Sequence, residues 1–339
     1  MSIVVKNETW DEIVRSCHRN DFYHSLNYHN LACENGEGEP VLLTWENGKY
    51  KIILPLLFRS IEGTEFKDAT SVYGYAGPIT SHKEIPTDIV ILFQDELKEY
   101  FQSQKIISVF SRLHPLLNQV YILDGLGNIV EEGKTVSVNL KLPFEEQWKQ
   151  FRKGMKYDVN KLSKENYQVL EDENLDFLDQ FVDLYNESMQ RVDADAKYFF
   201  SKSYLERFFN SCSYKPKLFF VKDPEDNQII CGAIFVFTRN IIQYHLSGSY
   251  TRFLRIGATK LIINRLRIIG TELNYDLLHL GGGFGGSESD SLFNFKAGFS
   301  RDRHTFHVWR YIVDPVAYKS ICDSMGILED NGFFPMYRQ

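Results

Sequence analysis

Two clusters in this 339-residue chain combine residue types that do chemistry. In the first, Gly281, Gly282, Gly283, Gly285 and Gly286 crowd into six positions behind the apolar run Tyr275–Leu280, and Lys296 is the single cation of the segment 292–299. Glycine loses more backbone freedom on ordering than any other residue, so five at one strand end point to something approaching the main chain closely, and a ligand is the expectation. A lone ammonium among Leu292, Phe293, Phe295 and Phe299 is either a surface lysine laying its stem over the rings or a charge held for an anion or developing oxyanion. Composition alone favours the surface reading. Glu288 and Asp290 are the neighbouring carboxylates that could move a proton.

The second cluster is Arg112 with His114. Two positions apart on a strand, they project to one face. A guanidinium beside an imidazole can grip a phosphate or carboxylate and supply a base near neutral pH, against the plainer reading of a solvated strand end. The tyrosine-rich turn Tyr73-Gly74-Tyr75-Ala76-Gly77-Pro78 reads first as structural. The basic stretch carrying Lys149, Arg152, Lys153, Lys156, Lys161 and Lys164 reads first as a solvated face.

The periodicity supplies the elements that must position these groups. Thr9-Trp10-Asp11-Glu12 fits a capping box opening a short helix, and Asn47-Gly48 joins the strands 41–45 and 50–54 as a hairpin. Residues 87–103 read as an amphipathic helix, 105–115 as a strand, and 120–142 as strand-like runs with breaks. Leu142-Pro143 marks the domain boundary. Helical spacing follows from Phe144 to Met155, from Leu175 to Tyr185 and from Tyr204 to Phe209, then strands at 217–221, 229–237 and 241–249, a helix after Gly257, and a tail of strand 304–313 and helix 314–325.

Pattern and order together resemble a known family. The apolar strand, glycine-rich turn and Leu292-Phe293-Asn294-Phe295-Lys296-Ala297-Gly298-Phe299 resemble the C-terminal signature of the Fem-type aminoacyltransferases, and more widely the tandem GNAT-like acyltransferases of capsule and lipopolysaccharide synthesis. The resemblance implies an α/β (α+β) fold of two GNAT-like domains, each a mixed, mostly antiparallel sheet flanked by helices: 1–143 on the acceptor side, 144–300 on the donor side, with 301–339 packing back. It implies that Lys296, with Phe295 beside it, stabilises the charged intermediate of acyl transfer, that Gly282 and Gly283 face the donor, and that Tyr73, Tyr75 and Arg112 line the acceptor site. Where the family commonly has an acidic residue this chain has His114, so a base assigned there rests on the imidazole alone. Arg255-Ile256-Gly257-Ala258 occupies the place of the GNAT phosphate loop, with Arg255 replacing its first glycine, and Arg255 and Gly257 are the remaining donor-binding candidates. Fem-type enzymes also lack that loop intact and use aminoacyl-tRNA.

Composition sets outer bounds. A formal charge of −7 lacks the basic footprint of a DNA-wrapping protein, although charged tRNA remains a candidate partner on a local basic patch. Five cysteines without any C-x-x-C suggest neither a disulfide framework nor a metal site. Neither a secretory signal nor an apolar run of about 18 residues is read, so the expected setting is cytoplasmic, with transient membrane-surface contact left open. The expected function is N-acyl transfer from acyl-CoA or aminoacyl-tRNA, as co-substrate with no tightly bound cofactor, to an amine of a nucleotide- or lipid-linked amino sugar or muropeptide. The competing reading is a non-catalytic ligand-binding protein on a degenerate GNAT fold.

Overall fold

A computed structural model of the chain describes residues 4–5, 9–117, 119–283, 290–327 and 332–339. Gly285, Gly286 and Glu288 lie outside these residues. Contacts divide the chain into two compact units, residues 1–132 with 305–339 and residues 133–304.

Along the first stretch the chain forms β1 (Val4–Val5), α1 (Trp10–Ser16), α2 (Leu26–Glu34), β2 (Glu39–Asn47), β3 (Tyr50–Ser60), β4 (Lys67–Thr70), β5 (Ile79–Thr80), α3 (Thr87–Ser103), β6 (Ile106–Arg112) and α4 (Val120–Leu123). The hairpin is as its Asn-Gly signal requires: Asn47 pairs with Tyr50, and Gly48 turns the chain at φ 59°. The capping box is not made. Thr9 offers α1 no side-chain cap, and Asp11 instead accepts the Leu26 N–H at 3.0 Å, at the head of α2. Residues 120–123, read as strand, form a helical turn, because Ile122 and Leu123 are both needed in the core and consecutive strand positions would point to opposite faces.

The chain continues with β7 (Asn128–Asn139), α5 (Phe144–Gln150), α6 (Lys153–Lys164), β8 (Gln168–Glu171), α7 (Leu178–Arg191), α8 (Lys202–Phe209), β9 (Lys215–Lys222), β10 (Ile229–Phe237), β11 (Ile241–Ser249), α9 (Thr259–Glu272), β12 (Leu277–Gly282), α10 (Ser291–Lys296), β13 (Asp302–Ile312) and α11 (Pro315–Ser324). The helix expected from Phe144 to Met155 breaks into α5 and α6, since Phe151 and Arg152 adopt extended backbone to turn Phe151 into the core.

In the unit of residues 1–132 and 305–339 the strands run β1-β2-β3-β4-β6-β13, with β5 on β3. Only β4 and β6, joined through α3, are parallel; the other neighbours are antiparallel. Val90, Phe93, Leu97 and Phe101 recur at helical spacing on α3 and bury against this sheet with Trp45 and Trp309. In the unit of residues 133–304 the order is β7-β12-β11-β10-β9-β8, and only β11 and β12, joined through α9, are parallel. β10 is buried at every position, as a central strand covered on both faces must be. Leu261, Ile262, Ile263 and Leu266 of α9 cover one face, and Phe181 and Leu184 of α7 press on Gly232 and Gly248 at the other. The expected mixed, mostly antiparallel sheets flanked by helices are therefore present in both units.

Candidate functional site

The parallel ladder of β11 and β12 is short. It pairs Ile241 with Leu277, Ile242 with Leu278 and Gln243 with His279, whereas β11 runs on to Ser249 and β12 to Gly282. Irregularities on both flanks fall just past the last pair. β12 shifts register against β7 between His279 and Gly281, where Gly281 is left-handed at φ 75°, and β10 shifts against β11 opposite His245. A bulge strengthens local twist and bends its strand, so the two strands part beyond Gln243 and His279. A buried bond between His279 Nδ1 and the accepting Gln243 Oε1, 2.7 Å, ties the last pair together.

Lys296 sits where the strands have parted. It is the last residue of α10, only 9% exposed, and its Nζ donates to the Gly282 carbonyl on β12 at 2.6 Å. On the other side Nζ lies 5.8 Å from the ring centroid of Tyr244, the first β11 residue beyond the ladder. Burial pushes the ammonium down to about 8, opposed by the charge of Asp290. Lys296 thus remains mainly charged at neutral pH in a poorly hydrated place, the setting in which one positive charge has its largest electrostatic effect. The snorkelling reading does not hold for this side chain.

The two neighbouring glycines do different things. Gly282 supplies the acceptor for Lys296. At Gly283 the group pressing on the main chain is the protein's own Asp290: a Cβ there would lie 2.1 Å from Oδ2 and 2.8 Å from the Phe293 Cβ. Asp290 in turn accepts the Phe293 N–H at 2.7 Å and caps α10. Phe295 packs half-buried on Phe299, ring centroids 5.3 Å apart, and Phe299 meets Phe151 at 5.2 Å. Arg152 ties the start of the basic helix to α10, its N–H donating to Gly298 O at 2.8 Å and its guanidinium to Asn294 O at 3.2 Å.

Arg255 and Gly257 belong to a separate turn after β11. A short 3-10 segment, Thr251–Ile256, carries exposed Arg255 as its penultimate residue, and Gly257 reverses it at φ 69° into α9. Lys260 folds back so that its Nζ would lie 3.1 Å from a Cβ at Gly257, and it pairs with Asp158 of α6.

The other candidates gather in the unit of residues 1–132 and 305–339. His114 does not project with Arg112 from a strand; β6 ends at Arg112, and His114 turns inward to 1% exposure. Its Nδ1 accepts the Leu116 N–H at 3.2 Å, so Nε2 carries the proton and donates to Asp21 at 2.8 Å. Asp21 also accepts the Phe22 N–H at 2.7 Å. Tyr75 meets Tyr23, Phe306 and His114 edge-on, with centroids 5.8, 5.1 and 6.1 Å away, and Gly74, at φ 108°, leaves its missing Cβ volume to the Tyr23 ring. Tyr73 is exposed, and Arg112 lies 5.1 Å over Phe110. A half-open pocket of about 280 Å³ adjoins this cluster, lined by His114, Leu116, Gln119, Thr305 and His307 among others. Beneath it His24 and His29 are fully buried, with Nε2 of each unbonded, and burial pushes them down to about 3 and about 4.

Lys296, Phe295, Gly282 and Gly283 therefore come together, as do His114 and Tyr75, while Arg255 and Gly257 form a third place. Sequence reasoning missed Tyr244 and Asp21. Tyr244 was signalled only by the polar Gln243-Tyr244-His245 inside an apolar strand, and Asp21, 93 residues from His114, by nothing local. Among the described residues no group of three or more metal-ligating side chains occurs, and no helix is long and apolar enough to cross a membrane.

No family model and no curated relative matches this sequence. Solved structures do match in fold. FemX aligns over 95% of this chain and 100% of its own at 13% identity, with a TM-score of 0.74. L-PGS from Bacillus licheniformis aligns over 95% and 97% at 13% identity and TM-score 0.58. The C-terminal domain of a putative lysylphosphatidylglycerol synthetase from Agrobacterium fabrum aligns over 97% and 99% at 12% and 0.56. The chain has a Fem-like fold, as its glycine-lysine signature implied.

Proposed function

We propose that this chain is an N-acyltransferase that moves an acyl or aminoacyl group to an amine of a cell-envelope precursor, a nucleotide- or lipid-linked amino sugar or a muropeptide. The observation that carries the reading is the buried Lys296 ammonium, held by Gly282 where β11 and β12 part. Attack of a neutral amine on an ester or thioester carbonyl forms the C–N bond and places negative charge on the carbonyl oxygen, which a fixed cation stabilises more than it does the uncharged carbonyl. Collapse then breaks the C–O or C–S bond, and the departing tRNA hydroxyl or coenzyme A thiol carries away the amine proton. Loss of one such donor elsewhere costs about 3 kcal/mol in the transition state. Phe295 shapes the apolar wall beside it. Arg255 and Gly257 are the proposed contacts for the donor's phosphates, and Tyr73, Tyr75 and Arg112 for the acceptor. His114, with both ring nitrogens engaged, is better suited to anchoring its loop than to taking a proton.

A donor screen tests this reading: purified protein, a panel of acyl-CoA species and a charged-tRNA mixture, with UDP-linked amino sugars and muropeptides as acceptors, read by mass spectrometry. A product from acyl-CoA identifies a coenzyme A donor, and one from charged tRNA alone identifies an aminoacyl donor. Transfer should decline as pH rises through about 8, where Lys296 loses its proton. A ligand-binding protein without chemistry is the second reading, favoured by the engaged His114 and the arginine in the phosphate-loop position. Binding of UDP-linked acceptors with no donor consumed would establish it.

A further inference from the structure

We infer that Asp290 is the positioning residue for Lys296, setting both the place and the charge of that ammonium; this rests on the transferase reading only for its consequence in catalysis. α10 is short, running from Ser291 to Lys296, and a helix this short holds its shape only if its ends are tied. Both ends are tied to one strand end. At the C-terminal end Lys296 Nζ bonds the Gly282 carbonyl at 2.6 Å. At the N-terminal end the Asp290 carboxylate caps Phe293 N–H at 2.7 Å and lies against Gly283, where no side chain would leave it room. Gly282, the last residue of β12, and Gly283 just past it thus receive the two ends of the helix, and a side chain at 283 would collide with the Asp290 carboxylate. Among the described residues, the same carboxylate is the negative charge that acts on Lys296; Tyr244 on β11 presents a ring, and Gly282 on β12 a carbonyl. Arg303 on β13 lies over the Phe293 ring of α10 at 5.6 Å and is the positive charge packed on that helix among the described residues of β13. Asp290, as the cap of the helix, is thereby withdrawn from service as the base.

The test separates charge from cap. D290N keeps an N-capping side chain and removes the charge, whereas D290A removes both. The readout is the titration of the Lys296 Cε resonance in lysine-labelled protein, assigned by its loss in K296R. In D290N the midpoint moves to lower pH by on the order of half a unit, because the ammonium loses a favourable charge, while the melting temperature stays near wild type. D290A melts earlier, and because its loosened α10 lets water reach Lys296 its midpoint lies above that of D290N; equal midpoints in the two variants overturn the positional half of the inference. Superimposable titrations of wild type and D290N overturn the inference. No substrate enters this measurement, so a protein with no transferase activity can still show the shift, and an active one can fail to.

Discussion

The two units share one strand plan and use it differently. Each has an edge strand, an antiparallel run, a helical crossover into a parallel neighbour, and a short helix after that neighbour: β4, α3, β6 and α4 in one, β11, α9, β12 and α10 in the other. Past the parallel pair the first unit is closed. Ser71 and Ala76 keep the chain beside β6, through Ser71 N–H to Phe110 O at 2.9 Å and a bridge from Ala76 to Leu113, and Tyr23, Tyr75, His114 and Asp21 fill the space. In the second unit the strands part, and one lysine stands in the gap. One topology has its parallel pair closed over by rings and a buried His114–Asp21 bond in one unit, with a pocket only beside that cluster, and carries a buried charge where the strands part in the other, an arrangement that costs desolvation.

The comparison predicts opposite consequences for its two central residues. His114→Ala leaves the Asp21 carboxylate buried without its imidazole, and the loss of a buried hydrogen-bonded partner costs about 3 kcal/mol. Urea unfolding should show that loss, and a midpoint within experimental error of wild type would show that the closed unit does not depend on this bond. Gly283→Ala sets a methyl against Asp290 and Phe293, an overpacking of about 2 kcal/mol that should fall more on transfer than on melting, since α10 can shift at the expense of Lys296. Unchanged turnover would mean that α10 tolerates displacement.

Acid should find the closed unit first. His24 and His29 are held neutral by burial, at about 3 and about 4, below the ordinary value of 6.5 that the unfolded chain shows. The unfolded state therefore binds protons that the folded state refuses. Stability should be complete above about pH 6.5, fall as pH drops below it, and go on falling until the folded histidines themselves titrate. Urea midpoints at pH 7, 6 and 5 measure this, and His29→Gln should flatten the decline. A level profile between pH 7 and 5 in the wild-type chain would contradict it. The smallest effect is expected at Thr9→Ala, below about 0.5 kcal/mol, because Thr9 caps nothing, against about 1 kcal/mol at Asp314→Ala, whose carboxylate accepts the Val316 and Ala317 N–H groups at 3.0 Å.

The same contrast explains what was legible in the chain. Helices and strands with one buried face announce themselves through spacing, as Val90, Phe93, Leu97 and Phe101 do on α3. The glycine-lysine signature carried Lys296 because its parts are local: Gly282 and Gly283 lie 14 and 13 residues before the lysine they serve. The closed unit was illegible where its bonds are long-range. Nothing near His114 announces Asp21, so a side chain that reads as strand-end and exposed proves to be buried and bonded. Likewise Asp290 reads as an alternative base until the fold sets it against Gly283 as the cap of α10. The repeated strand plan was implied by the family resemblance and left no internal sequence repeat, since topology constrains which positions are apolar and not which apolar residue fills them.

The most direct test of the central claim is turnover of Lys296→Met, using whichever donor and acceptor the screen identifies, beside His114→Gln under the same conditions. Methionine keeps the apolar stem and removes the charge. Lys296→Met should lose 100-fold or more in kcat per folded molecule, on the scale of about 3 kcal/mol of oxyanion stabilisation, while the lost tie to Gly282 lowers melting far less. His114→Gln should instead lose stability and keep most of its turnover per folded molecule. A folded Lys296→Met protein with full turnover would contradict the account.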